Sequence, residues 1–225
     1  VMLSASHEFA QARDVAEDAV PLLRTTALDI PTPERSSMLF ATQAIGAEAL
    51  AELGDLDTAD AWLNRARSLR PRLEADTGSD ARLTIAASLL FIARGRPAMA
   101  RRRVAPLLVA DDTPPHMLRR ALRVEGQAAA LANDSAGARA AAAKLLECAP
   151  TGVAIQDMVA VGWALLTRCE ACLQEGATVD ATRALALLSG RIVSACDAAP
   201  QILDTAALVA LRADVAALEN RIDGG

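Results

Sequence analysis

The sequence predicts an all-α fold built from antiparallel helix pairs, and three observations predict it. The first is composition, because the 225 residues include 52 Ala and 31 Leu but three Phe, two Trp and no Tyr. Ala and Leu favour helices, whereas β-sheets favour β-branched and aromatic side chains. The second is that Gly and Pro divide the chain into helix-sized segments with short connections. The third is that the turns recur at nearly regular intervals.

Start and stop signals delimit the helices in order along the chain. Residues 32–34, Thr-Pro-Glu, supply an N-cap, a proline at the first helical position and an acid in the first turn, and the apolar pattern continues to Leu53. A second helix is predicted to begin at residue 57 or 58 and to stop before Pro71, because the residue before a proline disfavours helical geometry. The same signals predict helices over 79–95, from Pro97, from 113–115, and over 135–150, 155–174, 178–198 and 201–222.

These helices are predicted to form one helical-repeat domain, residues 1–225. The helix pairs cover residues 32–73, 79–112, 113–150 and 155–199, and residues 201–225 supply a C-terminal capping helix. Ala12, Ala16 and Ala19 have the spacing of the second helix of a pair. The segment 1–30 is therefore either a partial repeat of a longer array or an N-terminal capping helix.

The turns inside the pairs share one spacing. A Gly or Asn is followed five residues later by Ala, and the intervals between successive turns are 41, 38 and 43 residues. The turn residue must tolerate a backbone conformation that reverses the chain, and the Ala must be small because the second helix crosses close to the first. The four instances are Gly54 with Ala59, Gly95 with Ala100, Asn133 with Ala138, and Gly176 with Ala181.

Two segments resemble the tetratricopeptide repeat. Residues 40–73 carry that family's small, turn and proline positions at Ala47, Gly54, Ala59, Leu63, Ala66 and Pro71. Residues 119–152 carry them at Gly126, Ala138, Ala142 and Pro150, with Asn133 at the turn. The resemblance implies helix pairs stacked in a right-handed superhelix. Repeats longer than the family's usual 34 residues are also similar to the helical sensor region of large LuxR-type bacterial regulators.

A groove along the first helices is the binding surface that this resemblance implies. Its lining is mixed, with apolar and cationic side chains. Arg120 and Arg123 lie three residues apart on one helical face, where guanidinium groups can fork onto a carboxylate. Alternatively, these arginines pair with Glu125 or other nearby acids on a solvated face. The predicted lining residues are Arg82, Ile85 and Leu89, then Arg120, Arg123 and Gln127, then Trp163, Leu166 and Glu170.

The sequence does not assemble the residues of an enzyme or a metal site. The chain has no Gly-rich phosphate loop, no nucleophile elbow and no His-Glu-x-x-His motif, and it has two histidines. Cys169 and Cys172 lie in the middle of a predicted helix without the two further ligands that zinc requires. We expect two buried structural thiols, no metal, no cofactor and no catalysis.

Charge and hydropathy argue against nucleic acid as a partner and against a membrane span. The net charge is −5 and the sequence pI is near 5.1, without the basic excess of a nucleic-acid binder. The run Arg101, Arg102 and Arg103 is expected on a solvated outer face. The longest uncharged apolar runs, 83–93 and 158–167, are shorter than a membrane span. With no secretory signal visible, a cytoplasmic location is expected, and the preference for Arg over Lys suggests a bacterial source.

Two hypotheses about function follow from these observations. The first is a non-catalytic protein-interaction or regulatory module, as in the sensor segment of a multidomain bacterial signalling or transcription regulator. The alternative is a receptor domain that binds a short peptide or a small effector in its concave groove. Both hypotheses place a protein, peptide or small ligand against the first helices of the pairs.

Overall fold

The computed structural model describes residues 5–25, 32–72, 77–148, 155–198 and 215–222. Over these ranges the regular structure is helical and no β-strand occurs, which confirms the all-α prediction. The chain forms two compact units, described separately below. The N-terminal unit is Glu8–Leu118, and the C-terminal unit is Arg119–Gly225 together with Val1–His7.

Among the residues that the structure describes, the N-terminal unit holds most of one helix, four further whole helices and the first turn of the next. Helix α2 (Thr32–Leu53) pairs with α3 (Leu56–Leu69), α4 (Thr77–Ala93) packs against both of them, and α5 (Pro97–Val109) packs against α4. Helices α2, α3 and α4 are therefore in mutual contact. The helices are α1 (Ala5–Arg24), α2 (Thr32–Leu53), α3 (Leu56–Leu69) with a short 3-10 segment (Arg70–Arg72), α4 (Thr77–Ala93), α5 (Pro97–Val109) and the start of α6 (Pro115–Leu131).

The C-terminal unit continues α6 and adds three long helices. These are α7 (Ser135–Cys148), α8 (Ile155–Gln174) and α9 (Thr178–Ala198). Helix α8 packs against both α7 and α9. Residues 215–222 are helical and place Val215 and Leu218 in the core formed by α8 and α9. The predicted helix from Gln201 is thus described only over this last part, and residues 199–214 lie outside the described residues.

The four predicted turns share one hydrogen-bonded structure. Gly54, Gly95, Asn133 and Gly176 all have positive φ, at 83°, 67°, 56° and 71°. At the first turn the Gly54 amide donates to the carbonyl of Ala51 and the Asp55 amide donates to that of Leu50, at 3.2 and 3.0 Å. The other three turns repeat this pair of bonds, so each helix ends in a Schellman motif that satisfies two of its last carbonyls. The turn prediction is confirmed.

The alanine five residues after each turn is buried. Ala59, Ala100, Ala138 and Ala181 are all at most 1% exposed. Each amide donates to the carbonyl four residues earlier, which closes the first turn of the second helix. Each methyl group is therefore packed against neighbouring side chains at the start of the second helix. That a larger side chain does not fit there stays a prediction.

One helix boundary differs from its prediction for a clear reason. Helix α3 begins at Leu56, because Asp55 is its N-cap and its carboxylate accepts a hydrogen bond from the Thr58 amide at 3.3 Å. Asp55 thus completes the Schellman turn with its amide and opens the next helix with its side chain. The start predicted at residue 57 or 58 is therefore wrong, since the cap lies at Asp55.

Polar side chains next to two of these turns connect neighbouring helices. Arg94, just after α4, forms an ion pair with Asp60 of α3 at 3.1 Å. Glu175, just after α8, accepts a hydrogen bond from the Ser135 hydroxyl at 2.6 Å. Its carboxylate also forms an ion pair with Arg139. The Ser135 bond and then Arg139 hold the pKa of Glu175 below its usual range. These groups are partly exposed, so they orient the elements more than they stabilise them.

None of the helices that the structure describes is long and apolar enough to cross a lipid bilayer.

Candidate functional site

The candidate site is a polar face on α6 and α8 of the C-terminal unit. On α6, Met117, Ala121, Val124 and Ala128 recur at helical spacing and are buried. The neighbouring stripe of α6 carries the predicted site residues Arg120, Arg123 and Gln127, which are partly exposed. Trp163, also partly exposed, comes from α8.

Arg123 and Trp163 are brought into direct contact. The guanidinium carbon of Arg123 lies 3.8 Å from the centroid of the Trp163 ring. A cation at this distance from an indole is attracted by the negative face of the ring. Two residues 40 positions apart in the sequence therefore form one cationic and aromatic face.

Helix α6 packs tightly against α8 one turn beyond this contact. Gly126 lies one turn after Arg123 on α6, and Thr167 lies one turn after Trp163 on α8. A Cβ at Gly126 would lie 3.1 Å from Cγ2 of Thr167. In the sequence Gly126 belongs to the repeat pattern, and it was not predicted to lie at the site. The available signal was a glycine inside a helix, which often marks a close approach of another backbone.

Arg120 is the second cation of the face. Burial, and after it the positive charge of Arg123, lowers the pKa of Arg120 to about 10. The side chain therefore stays charged at neutral pH while part of its hydration is lost. A desolvated guanidinium next to another cation favours an anionic group, because a charge-assisted hydrogen bond is stronger away from water.

Gln127 supplies an acceptor at the end of the face. Its Oε1 atom is buried and accepts no hydrogen bond. A buried polar atom without a partner costs free energy that an incoming donor would recover. The face thus combines two cations, an aromatic ring and one buried acceptor.

The remaining predicted residues have different environments. Ile85 and Leu89 of α4 and Leu166 of α8 are buried and contribute to the cores of their units. Arg82 of α4 is partly exposed, and burial lowers its pKa. Glu170 of α8 lies 3.7 Å from Arg221. Ile85, Leu89 and Leu166 are thus packed as core residues. That they also contact a ligand stays a prediction.

The cysteines occupy the environment that the sequence predicted. Cys169 and Cys172 are free, buried and one turn apart in α8, where they belong to the core with α9. Within the described ranges, no three His, Cys, Asp or Glu side chains gather closely enough to hold a metal ion. Burial raises the pKa of Cys169 to about 11, which keeps it a neutral thiol.

We expect thiol reagents to distinguish these cysteines. In a Cys196→Ser background, maleimide at pH 8 should modify the exposed Cys148 within minutes, while Cys169 and Cys172 stay unmodified in the folded protein. Mass spectrometry of the tryptic peptides measures each site, and urea-unfolded protein is the control in which all three react. Rapid modification of Cys169 in the folded protein would contradict the buried environment.

Comparison of the chain with family models, with curated proteins and with solved structures returned no match. Inference about function therefore rests on the face formed by Arg120, Arg123, Gln127 and Trp163.

Proposed function

We propose that the chain is a non-catalytic protein-interaction or regulatory module. Its binding surface is the face of Arg120, Arg123, Gln127 and Trp163, and its partner is a protein or peptide that presents an acidic group beside an apolar one. The observation that carries this proposal is the stacking of Arg123 on Trp163 at 3.8 Å next to a second, partly desolvated arginine.

The chemistry of the face supports this class of partner. An arginine offers two parallel donors to a carboxylate, and its stacking on an indole fixes the plane of those donors before the ligand arrives. Trp is among the residues that most often dominate the energy of a protein interface, because it combines a large apolar area with a rigid ring. The finer proposal, a sensor segment of a bacterial signalling or transcription regulator, rests on the resemblance to helical-repeat regulators.

A receptor for a small effector is the alternative, and one observation favours it. The Oε1 atom of Gln127 is buried without a hydrogen bond, and a ligand that brings an N–H or O–H donor there would satisfy it. A small molecule with a carboxylate and a donor group meets this requirement more easily than the surface of a folded protein.

Selection from a phage-displayed library of random peptides tests the proposal. We expect enriched peptides to contain Asp or Glu near an aromatic or aliphatic residue. In fluorescence anisotropy, the Arg120→Gln/Arg123→Gln variant should bind them at least about tenfold more weakly, because a charge-assisted bond contributes about 1.5–3 kcal/mol. The loss should be smaller at high salt, where the wild type also binds more weakly.

Two further variants make the result specific. Arg102→Gln/Arg103→Gln removes two exposed arginines of α5 and should leave the affinity unchanged. Arg123→Lys keeps the charge but loses the planar stack, so an intermediate affinity is expected. Tight binding by the site variant together with weak binding by the α5 variant would place the binding surface on α5. Enrichment no better than that of a blank surface would favour the effector alternative.

A further inference from the structure

The charge of the chain is unevenly distributed. Residues 65–103 contain ten Arg and three acidic residues, which give this segment a net charge of +7, whereas the whole chain carries −5. The segment covers the end of α3, all of α4 and the first half of α5, which belong to the N-terminal unit. The average charge of the chain therefore conceals a basic region, and such a region attracts anionic partners.

One stripe of α3 borders this region. Asp60, Asn64 and Arg67 recur at helical spacing, so they lie on one side of the helix. Asp60 forms an ion pair with Arg94, just after α4, at 3.1 Å. Burial, and after it the positive charge of Arg103 on α5, lowers the pKa of Arg67, while Asp60 opposes this change. The stripe therefore faces α5, with Arg67 within range of a charge–charge interaction with Arg103.

A stripe of α5 faces the stripe of α3. Arg96 is the N-cap of α5, and Met99 and Arg103 follow it three and seven residues later, which places all three on one side of the helix. All three are exposed, Met99 by 41%. Helices α3 and α5 both pack against α4, which holds the two stripes side by side. We call the surface formed by Arg67, Arg96, Met99 and Arg103 the α3–α5 surface.

The residues that the structure describes do not neutralise the cations of the α3–α5 surface. Among those residues, none forms an ion pair with Arg96 or Arg103. Arg67 donates to Oδ1 of Asn64 at 3.0 Å, and a neutral amide does not compensate its charge. The acid of the α3 stripe, Asp60, is already paired with Arg94. An external carboxylate would therefore gain charge-assisted hydrogen bonds here.

The surroundings favour a segment of protein over nucleic acid as the bound anion. Asp57, near the start of α3, and Asp111 and Asp112, just after α5, are exposed. A nucleic-acid strand that continued along either helix would bring its phosphates near these carboxylates, whereas a protein segment can place neutral residues there. Neither stripe carries an aromatic ring for stacking on bases, and the exposed Met99 offers a flexible apolar contact instead.

We propose that the α3–α5 surface binds an acidic segment of a partner protein, with an apolar side chain between its carboxylates. Arg96 and Arg103 are separated by about 10 Å along the helix axis. Three residues of extended chain cover about the same distance. Two acids three positions apart therefore reach the two arginines, and the apolar residue between them contacts Met99.

This surface is separate from the face of Arg120, Arg123, Gln127 and Trp163, and the proposal does not depend on the function assigned to that face. The peptides expected there need one acid beside an apolar residue. A segment with several acids is needed at the α3–α5 surface, because exposed charge contacts are individually weak and become effective when one chain makes several of them.

Three labelled peptides test the chemistry of the segment. The acidic probe has the sequence Gly-Ser-Glu-Leu-Ser-Glu-Glu-Ser-Gly. The neutral probe has Gln in place of each Glu, and the basic probe has Lys in the same places. Each probe carries tetramethylrhodamine and is titrated with the whole chain at low salt, where exposed charge contacts are least screened. Fluorescence anisotropy measures binding.

We expect saturable binding of the acidic probe and at least about tenfold weaker binding of the other two probes. The variant Arg96→Glu/Arg103→Glu reverses two exposed charges. It should bind the acidic probe at least about tenfold more weakly than the wild type does, and the basic probe more tightly. A gain for the basic probe is not expected from a variant that is merely less stable.

A matched control separates local contacts from net charge. Arg65→Glu/Arg183→Glu changes the net charge by the same amount at exposed positions outside the α3–α5 surface. Its affinity for the acidic and basic probes should stay within about threefold of the wild type, because distant exposed charges are screened. Circular dichroism shows whether both variants keep the helical content of the wild type.

Three outcomes would overturn the proposal. One is no saturable binding of the acidic probe, and another is equal affinity of the wild type and the Arg96→Glu/Arg103→Glu variant for that probe. The third is tighter binding of a thymidine tetranucleotide, whose three phosphates match the three glutamates in number, together with its loss in this variant, since nucleic acid would then be the better occupant.

Discussion

Replacing Gly46 with Ala is expected to lower the free energy of unfolding by about 2 kcal/mol, although the change improves helix propensity. A Cβ at this position would overlap Cζ3 and Cε3 of Trp62 and lie 3.3 Å from the Cβ of Ala16. The indole is buried, so it has little room to move. Overpacking at the upper end of its usual range costs about 3 kcal/mol, and the propensity gain offsets about 1 kcal/mol.

Urea unfolding followed by fluorescence measures this effect. In a Trp163→Phe background the emission comes from Trp62, which reports on the N-terminal unit. Gly190→Ala on α9 lies in the C-terminal unit and is followed by circular dichroism. It is the control, because a Cβ there meets open space and should stabilise the helix by up to about 1 kcal/mol. A stabilising effect of Gly46→Ala as well would contradict the close contact.

A double-mutant cycle identifies the cause. If the clash with the indole dominates, Gly46→Ala should cost less in a Trp62→Leu protein than in the wild type, because the smaller side chain leaves room for the methyl group. Circular dichroism provides the signal, since Trp62 is absent from that background. Equal costs in the two backgrounds would assign the loss to Ala16 instead.

Replacing Ala59 or Ala138 with Leu should lower the free energy of unfolding by about 1–3 kcal/mol. Both alanines are at most 1% exposed at a helix crossing, directly after a turn whose hydrogen bonds fix the direction of the second helix. The added carbons can be accommodated only by separating the two helices. Thermal or urea unfolding measures the loss, and the two variants test one unit each.

Exposed alanines on the same helices provide the controls. Ala61 on α3 and Ala140 on α7 are exposed, so Ala61→Leu and Ala140→Leu should change stability by no more than about 0.5 kcal/mol. Responses at Ala59 and Ala138 as small as those of the controls would mean that the repeat register is wrong.

The turns and helix boundaries could be predicted because their causes are local. A positive φ strongly favours Gly or Asn whatever the surroundings, so Gly95 and Asn133 marked their turns without knowledge of the fold. The start of α3 was less accurate, because Asp55 takes part in two neighbouring motifs. The all-α class followed from composition, which also does not depend on tertiary contacts.

The candidate site could be predicted only in part, because the exposure of each predicted residue depends on which helices pack against it. The spacing of Arg120 and Arg123 placed them together, and the repeat offset placed Trp163 on the same side. Nothing in one sequence indicates that other helices cover Ile85 and Leu89, which are buried. The close approach at Gly126 likewise results from packing between helices.

The alanines at the four helix crossings have a consequence for the temperature dependence of stability. Alanine has no side-chain rotamers to lose, so its burial carries no side-chain entropy cost on folding. It also removes less apolar surface from water than leucine or phenylalanine would, and the heat-capacity change of unfolding scales with that surface. A protein with Ala59, Ala100, Ala138 and Ala181 at its crossings is therefore expected to have a shallow stability curve, with little variation of the free energy of unfolding over the physiological temperature range.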